Sequence, residues 1–150
     1  MLLKLPNNPL SCHIAIYLPT SGKEAEFVSA MASLDACLEE IYLKYDECPI
    51  FIRGDANIDK NNAARAKLLQ HFLDKHDLLR LNLVHPTYHH FLGDGTFDSS
   101  LDVLLYRNLP HVSERLQAIV CKLHHPLISS HHDVVVSTFH QLAVRLSERT

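Results

Sequence analysis

Ile50-Phe51-Ile52-Arg53-Gly54-Asp55-Ala56-Asn57 is the stretch from which the organisation of this chain can be worked out. Its β-branched and aromatic residues, followed by a glycine, predict a buried strand over residues 49–53 that opens into a loop. Asp55 and Asn57 are two positions apart, so on an extended backbone their side chains point the same way. They would place a carboxylate beside a neutral amide. The same residue types form ordinary tight turns, so the rest of the chain must decide between a site and a turn.

Composition narrows the class of protein. The 150 residues are enough for one domain with a sizeable core, and 47% hydrophobic with 21% charged residues is typical of a globular protein. A net charge of −3 argues against binding nucleic acid through a basic surface, although a metal ion could still carry phosphate chemistry. Four scattered cysteines, no secretory signal and no run of apolar residues that could span a bilayer predict an intracellular protein.

The first half of the chain predicts a strand followed by a long helix. Residues 12–17 alternate and stop at Leu18-Pro19-Thr20-Ser21-Gly22, which indicates a strand that ends in a loop. Ser21 with Glu24 is typical of a capping box at a helix start. The residues at steps of three and four that predict one buried helical face are Phe27, Met31, Leu34, Leu38 and Ile41.

The remainder predicts a second helix and then mainly strands. Asn61 or Asn62 can cap a helix over residues 63–76. Its predicted inward residues are Ala64, Leu68 and Phe72, with Leu69 and Leu73 as further candidates. Strands are predicted at 79–84, 101–106, 114–121 and 134–136, with a tight turn at 93–95, whereas the tail from Phe139 fits helix or strand. This order predicts an α/β fold in which helices cover a mixed β-sheet.

Four polar features stand at strand ends or within strands of this pattern. In chain order they are Tyr17, Asp55 with Asn57, Asp102 and His132. An ionised Asp in the apolar run 101–106 is costly without a partner, so Asp102 is expected to have one. In this order the features resemble the endonuclease/exonuclease/phosphatase superfamily, from about Cys12 to Val136.

Each feature matches a motif of that superfamily. A strand ending in Tyr before a Pro-containing loop is matched by Ile14-Ala15-Ile16-Tyr17-Leu18-Pro19, and Gly-Asp-x-Asn by residues 54–57. Ser100-Leu101-Asp102 matches the Ser/Arg-hydrophobic-Asp strand, and Ser130-His131-His132 falls where the family has Ser-Asp-His. The segments Thr87–Gly95, Ser99–Tyr106 and Ser130–Asp133 are most similar to the endonuclease region of non-LTR retrotransposon endonuclease–reverse transcriptase proteins.

The resemblance implies a four-layered α/β sandwich and hydrolysis of DNA phosphodiester bonds with Mg²⁺ or Mn²⁺. In the family the Asp of Gly-Asp-x-Asn orients or deprotonates the attacking water, and the Asn helps to hold the water and the phosphate. These roles fall on Asp55 and Asn57, which would also be the metal-site residues. His132 would bind the non-bridging phosphate oxygens, Asp102 would hydrogen-bond His132, and Tyr17 would donate a hydrogen bond to the phosphate.

Two departures from the family pattern shape the expectation for activity. Residues 1–150 match only the C-terminal part of the domain, without the N-terminal half that carries an Asn and a metal-binding Glu, and His131 replaces the Asp of Ser-Asp-His. The expectation is therefore a partial domain that is weakly active or inactive as a nuclease. A non-catalytic binding or scaffold remnant of the same fold is the alternative, and the His pairs leave open a metal-binding α/β protein. Taken singly, a Tyr before a loop such as Tyr17 is more often a half-buried packing residue, and His132 would be a surface or capped histidine.

Overall fold

A five-stranded mixed β-sheet is the centre of the structure, a computed structural model in which residues 2–3, 11–45, 48–59, 61–81, 86–92, 95–107, 114–121 and 134–141 are described. Its elements, in chain order, are β1 (Leu2–Leu3), β2 (Ser11–Tyr17), α1 (Glu24–Lys44), β3 (Ile50–Asp55), α2 (Ala63–His76), β4 (Leu78–Arg80), β5 (Tyr88–Leu92), β6 (Gly95–Ser99), β7 (Asp102–Arg107), β8 (Glu114–Cys121) and β9 (Val134–Gln141). The strand order in the sheet is β1-β2-β3-β7-β4. The predicted fold class, a mixed sheet with covering helices, is confirmed.

The core lies between one face of this sheet and the two helices. Strands β2 and β3 are parallel and α1 connects them, whereas β7 pairs antiparallel with both β3 and β4. Side chains alternate along a strand, so Ile50 and Ile52 of β3 face the helices together with Val103 and Leu105 of β7. The residues of α1 buried against them are Phe27, Met31, Leu34 and Leu38. The helical face predicted for this segment is confirmed.

The start of α1 differs from the capping box predicted with Ser21. The helix begins at Glu24, its N-cap residue is Lys23, and no side chain caps it. Ser21 lies two residues earlier, in a turn. The Glu24 carboxylate accepts hydrogen bonds from Arg65 of α2. In a capping box the same carboxylate would bind a backbone N–H at the start of its own helix.

Helix α2 has the predicted bounds, and its cap is Asn62, whose side-chain oxygen accepts from the backbone N–H of Arg65. The predicted inward face is correct at Leu69, Phe72 and Leu73 and wrong at Ala64 and Leu68, which are exposed. The buried residues are Arg65, Leu69, Phe72, Leu73 and His76. Apolar residues at 68, 69, 72 and 73 fit two helical phases, and two polar residues, Arg65 and His76, occupy the buried side.

Strands lie at the four places predicted after α2, and the structure adds β5, β6 and the pairing of the strands. Strand β4 is short, and residues 82–84 of the predicted 79–84 strand lie outside the described residues. Strands β5 and β6 form a hairpin in which Leu92 pairs with Gly95. Strands β8 and β9 pair antiparallel, so the segment after Phe139 continues as strand to Gln141. Within the described residues, no helix is long and apolar enough to cross a membrane.

Candidate active site

Three of the side chains predicted to form the site lie in one row across the sheet. Tyr17, the last residue of β2, pairs in register with Asp55, the last residue of β3, and Asp55 pairs with Asp102, the first residue of β7. Neighbours in register share a face, and in this row it is the face opposite the helices. The Tyr17 side chain is 72% exposed, so it is not the packing residue that its position alone allowed. The row therefore brings a phenol and two carboxylates to one end of the sheet.

Asp55 and Asp102 face each other at the closest kind of strand position. The backbone N–H of Ala56 donates to the Leu101 carbonyl at 2.9 Å, which makes the two Asp residues a non-hydrogen-bonded pair. In such pairs the Cα atoms are about 4.5 Å apart and the side chains are closest. Two ionised carboxylates at this separation repel each other, so the position favours a cation or a hydrogen-bond donor between them.

Asn57 reaches the same end of the sheet through a turn. Its φ of 48° is left-handed, so the extended backbone considered for Asp55 and Asn57 is wrong. Asp55 Oδ1 accepts a hydrogen bond from the Asn57 backbone N–H at 2.8 Å, which is an Asx turn. The Asn57 side-chain amide donates to the Leu18 carbonyl at 2.7 Å, and the loop after β2 is thereby tied to the loop after β3. Asp55 and Asn57 therefore form a turn and also lie at the end of the sheet that carries the other predicted site residues.

Gly54 is required by close packing within the sheet. A Cβ atom added there would lie 2.0 Å from the carbonyl oxygen of Ile16 on β2, and the φ of Gly54 is +139°. Both conditions exclude a side chain. The glycine before Asp55 therefore lets β3 approach β2 at the row of site residues, which a turn at this position would not explain.

Arg65 organises the loops around the site, and the sequence prediction missed it. Its side chain is fully buried on α2, and its guanidinium donates to the carbonyls of Pro19 (2.5 Å), Thr20 (2.8 Å) and Asn57 (3.1 Å). It also binds both carboxylate oxygens of Glu24 and lies 4.2 Å from the centre of the Phe27 ring. The hydrogen bond from Arg65 lowers the pKa of Glu24.

One sequence signal could have identified Arg65. It stands in the first turn of a helix that has no acidic residue there, where the helix dipole disfavours a cation. A basic residue in that place indicates a specific acceptor nearby. Here the acceptors are the carbonyls of the loop after β2 and of the Gly-Asp-x-Asn turn, so α2 fixes both loops at once.

Thr87 ties the β5–β6 hairpin to the same end of the sheet. Its side chain is fully buried, and its Oγ1 accepts from the backbone N–H of Asp102 at 3.3 Å. The Thr87 N–H donates to the Ser99 carbonyl at 3.1 Å, next to the Tyr88–Ser99 pair that closes the hairpin. Asp102 is therefore held between β3 and the base of the hairpin.

His132 and the residue before it, His131, lie outside the described residues, and the pairing of His132 with Asp102 stays a prediction. Among the described residues, no group of three or more His, Cys, Asp or Glu side chains is placed to hold a metal ion. The oxygen donors that the described residues bring to this edge are the carboxylates of Asp55 and Asp102, which are paired in register, and the side-chain amide of Asn57. Carboxylate and amide oxygens are hard ligands of the kind that Mg²⁺ takes, usually one or two from the protein beside water and substrate phosphate.

Comparison with solved structures supports the fold. The chain is similar to a structure described as the endonuclease domain of TRAS1, a telomere-specific non-LTR retrotransposon, with a TM-score of 0.54 and 23% sequence identity. The match covers 71% of this chain and 50% of that one, so the chain spans about half the length of that domain. No protein-family model and no curated protein matches the sequence. The structure therefore has an endonuclease-like α/β fold, as the resemblance in the sequence implied.

Proposed function

We propose that this chain is an endonuclease-type module that binds the DNA backbone at the row of Tyr17, Asp55 and Asp102 and hydrolyses phosphodiester bonds weakly when a divalent cation is present. The observation that carries the proposal is the alignment of these three residues at one end of a sheet whose fold resembles an endonuclease domain.

The proposed roles follow from the chemistry of each side chain. The Asn57 N–H orients Asp55. The Asp55 carboxylate either accepts a proton from the attacking water or positions that water. Asn57 helps to hold that water and the phosphate. Tyr17 is exposed and donates its phenolic proton to a phosphate oxygen. Asp102 orients His132, which binds the non-bridging phosphate oxygens.

The donor chemistry of the edge fits Mg²⁺ or Mn²⁺, which Asp55 would hold with Asn57 and with Asp102 beside them. Bound there, the ion supplies positive charge against the scissile phosphate. Of these groups Asn57 is neutral and its amide already donates to the Leu18 carbonyl, so charged ligation from the described residues rests on Asp55 and Asp102 alone. We therefore expect weak metal affinity and slow turnover in the isolated chain.

A non-catalytic remnant that keeps DNA or phosphate binding is the second candidate function. The favouring observation is that the described residues contain no group of three or more His, Cys, Asp or Glu side chains placed to hold a metal ion. In this case the fold and the backbone-binding groups persist, and hydrolysis does not occur.

A supercoiled-plasmid nicking assay with Mg²⁺ or Mn²⁺ tests the proposal. Asp55→Asn keeps the acceptor for the Asn57 N–H while removing the charge, and His132→Ala removes the predicted phosphate ligand. Glu40→Gln is the matched control, since this carboxylate is 75% exposed on α1 and 4.0 Å from Lys44. We expect slow, metal-dependent nicking that both site variants abolish and the control retains.

The other outcomes separate the candidates. A folded protein that binds DNA without nicking it supports the remnant. Nicking that survives both site substitutions overturns the assigned site. Rapid nicking, abolished by Asp55→Asn, overturns the expectation of a weak metal site and shows that a further ligand completes it.

A further inference from the structure

Arg53 places a guanidinium on the same sheet face as the candidate active site. It lies on β3 two residues before Asp55, and side chains two apart on a strand share a face. At about 3.3 Å per residue, the two Cα atoms are roughly 7 Å apart along the strand. The Arg53 side chain is exposed, and its register neighbour on β2 is Ala15, also exposed. The short Ala15 side chain leaves the guanidinium accessible from that side.

A hydrogen bond that Arg53 donates to His13 on β2 holds this guanidinium in place. Arg53 Nη2 lies 2.6 Å from His13 Nδ1, and His13 Nε2 lies 3.0 Å from Ser11 Oγ. A guanidinium can only donate, so Nδ1 accepts and the ring proton is on Nε2. The His13 ring also packs on the ring of Phe51, which is buried, with centroids 5.1 Å apart. Burial and then the nearby Arg53 lower the pKa of His13, which keeps the ring neutral and able to accept at neutral pH.

A DNA backbone that approaches the two carboxylates is held more favourably when a cation lies beside them. Asp55 and Asp102 would repel an approaching phosphate chain. Among the described outward-facing residues of β2, β3 and β7, Arg53 is the guanidinium or ammonium nearest to them in register. Guanidinium groups bind phosphate with two parallel hydrogen bonds, and a preorganised one loses little freedom on binding.

We propose that Arg53, positioned by His13, is a phosphate-binding residue that holds the DNA backbone one phosphodiester away from the scissile bond. This inference rests on the proposed function and adds to it a named contact beside the reacting centre. The ligand is the phosphodiester backbone, so the contact is independent of base sequence.

Binding of a short fluorescein-labelled DNA duplex, measured by fluorescence anisotropy at several NaCl concentrations, tests the inference. Ca²⁺ replaces Mg²⁺ as a cation with the same preference for oxygen ligands. Arg53→Gln is expected to weaken binding roughly tenfold and to reduce the slope of log K against log salt concentration by about one unit, because one phosphate contact is lost. Arg53→Lys is expected to keep the slope and still weaken binding, because the positive charge stays while the pair of parallel hydrogen bonds from a guanidinium is lost.

Lys44→Gln is the matched control, because it removes the same charge from an exposed position on α1. His13→Leu is expected to weaken binding without changing the slope. Thermal unfolding of each variant confirms that the fold is kept, and Arg53→Lys serves if Arg53→Gln does not fold. Equal affinities and slopes for wild type and Arg53→Gln overturn the role of Arg53 and leave the proposed function standing. An equal loss of affinity in Lys44→Gln does the same. A wild-type chain that does not bind DNA overturns the proposed function together with this inference.

Discussion

Asp55 and Asp102 occupy directly opposed, non-hydrogen-bonded positions on β3 and β7, so two carboxylates meet at the loop end of the sheet. Like charges at such positions destabilise a folded protein. Carboxylate oxygens at this position can bind a cation or accept a hydrogen bond. Several consequences of this arrangement and of the contacts around it can be measured.

Asp55→Asn should raise the free energy of unfolding by a few tenths to about 1 kcal/mol, because it removes one of two facing charges. The Asn oxygen still accepts from the Asn57 N–H. Urea unfolding at neutral pH and low salt measures the effect, and added NaCl should diminish it. A loss of stability would show that the fold needs the charge of Asp55.

Gly54→Ala should destabilise the protein by at least about 1–3 kcal/mol, since its backbone conformation disfavours a side chain. The new Cβ would also meet the Ile16 carbonyl, so β2 and β3 must separate where they carry Tyr17 and Asp55. Chemical denaturation gives the magnitude. Gly22→Ala is the control, because its φ of +88° is likewise unfavourable to a side chain, whereas a Cβ there meets nothing within 4 Å. Equal losses of stability for Gly54→Ala and Gly22→Ala would show that contact with the Ile16 carbonyl adds nothing to the cost of the backbone conformation.

Arg65→Met should cost roughly 3 kcal/mol, about 1 for each of the three carbonyls that lose a donor. Glu24→Gln should cost much less, because Glu24 is 56% exposed and Gln retains an acceptor oxygen. The comparison by urea denaturation separates the loop contacts of Arg65 from its ion pair. Equal losses for the two variants would assign the stabilisation to the ion pair.

Asp35→Asn should make stability less dependent on acid pH. Asp35 of α1 binds Lys75 at 2.7 Å and His76 at 2.6 Å, both on α2, and these hydrogen bonds lower the pKa of Asp35. A carboxyl whose pKa is lower in the folded state stabilises it above the unfolded value of 3.8. That contribution is lost as the pH falls through the folded pKa.

Urea midpoints measured between about pH 5 and pH 2 should therefore fall more steeply for the wild type than for Asp35→Asn. Glu40→Gln, an exposed carboxylate 4.0 Å from Lys44, should leave the wild-type profile unchanged. Parallel profiles for wild type and Asp35→Asn would contradict the stabilising role of this contact between α1 and α2.

Leu34→Ala and Leu69→Ala should each cost on the order of 2–5 kcal/mol, because both side chains are buried in the core. Leu68→Ala should cost less than about 1 kcal/mol, since that side chain is 40% exposed. The ratio of the Leu68 and Leu69 effects measures the phase of α2 directly. A larger loss at Leu68 would restore the inward face predicted from the sequence alone.

Local sequence patterns determined the bounds of α2, the buried face of α1 and the strands at residues 101–106 and 114–121. Apolar periodicity and an Asn cap are short-range signals that act within one element, so they can be read without knowing the partner. The motifs Gly54-Asp55-Ala56-Asn57 and Ser100-Leu101-Asp102 also indicated the endonuclease-like fold, which the structural comparison confirmed. The catalytic roles assigned to them stay predictions.

Only the tertiary structure decided how these pieces meet. Strand register set Tyr17, Asp55 and Asp102 side by side, and register depends on pairing between distant segments. Arg65 is buried on α2 because it binds loop carbonyls, and two of them, Pro19 and Thr20, lie 46 and 45 residues earlier in the chain. The need for glycine at position 54 likewise comes from the backbone of β2. Each of these features depends on contacts with segments remote in sequence, and local patterns do not specify the register or the distances of such contacts.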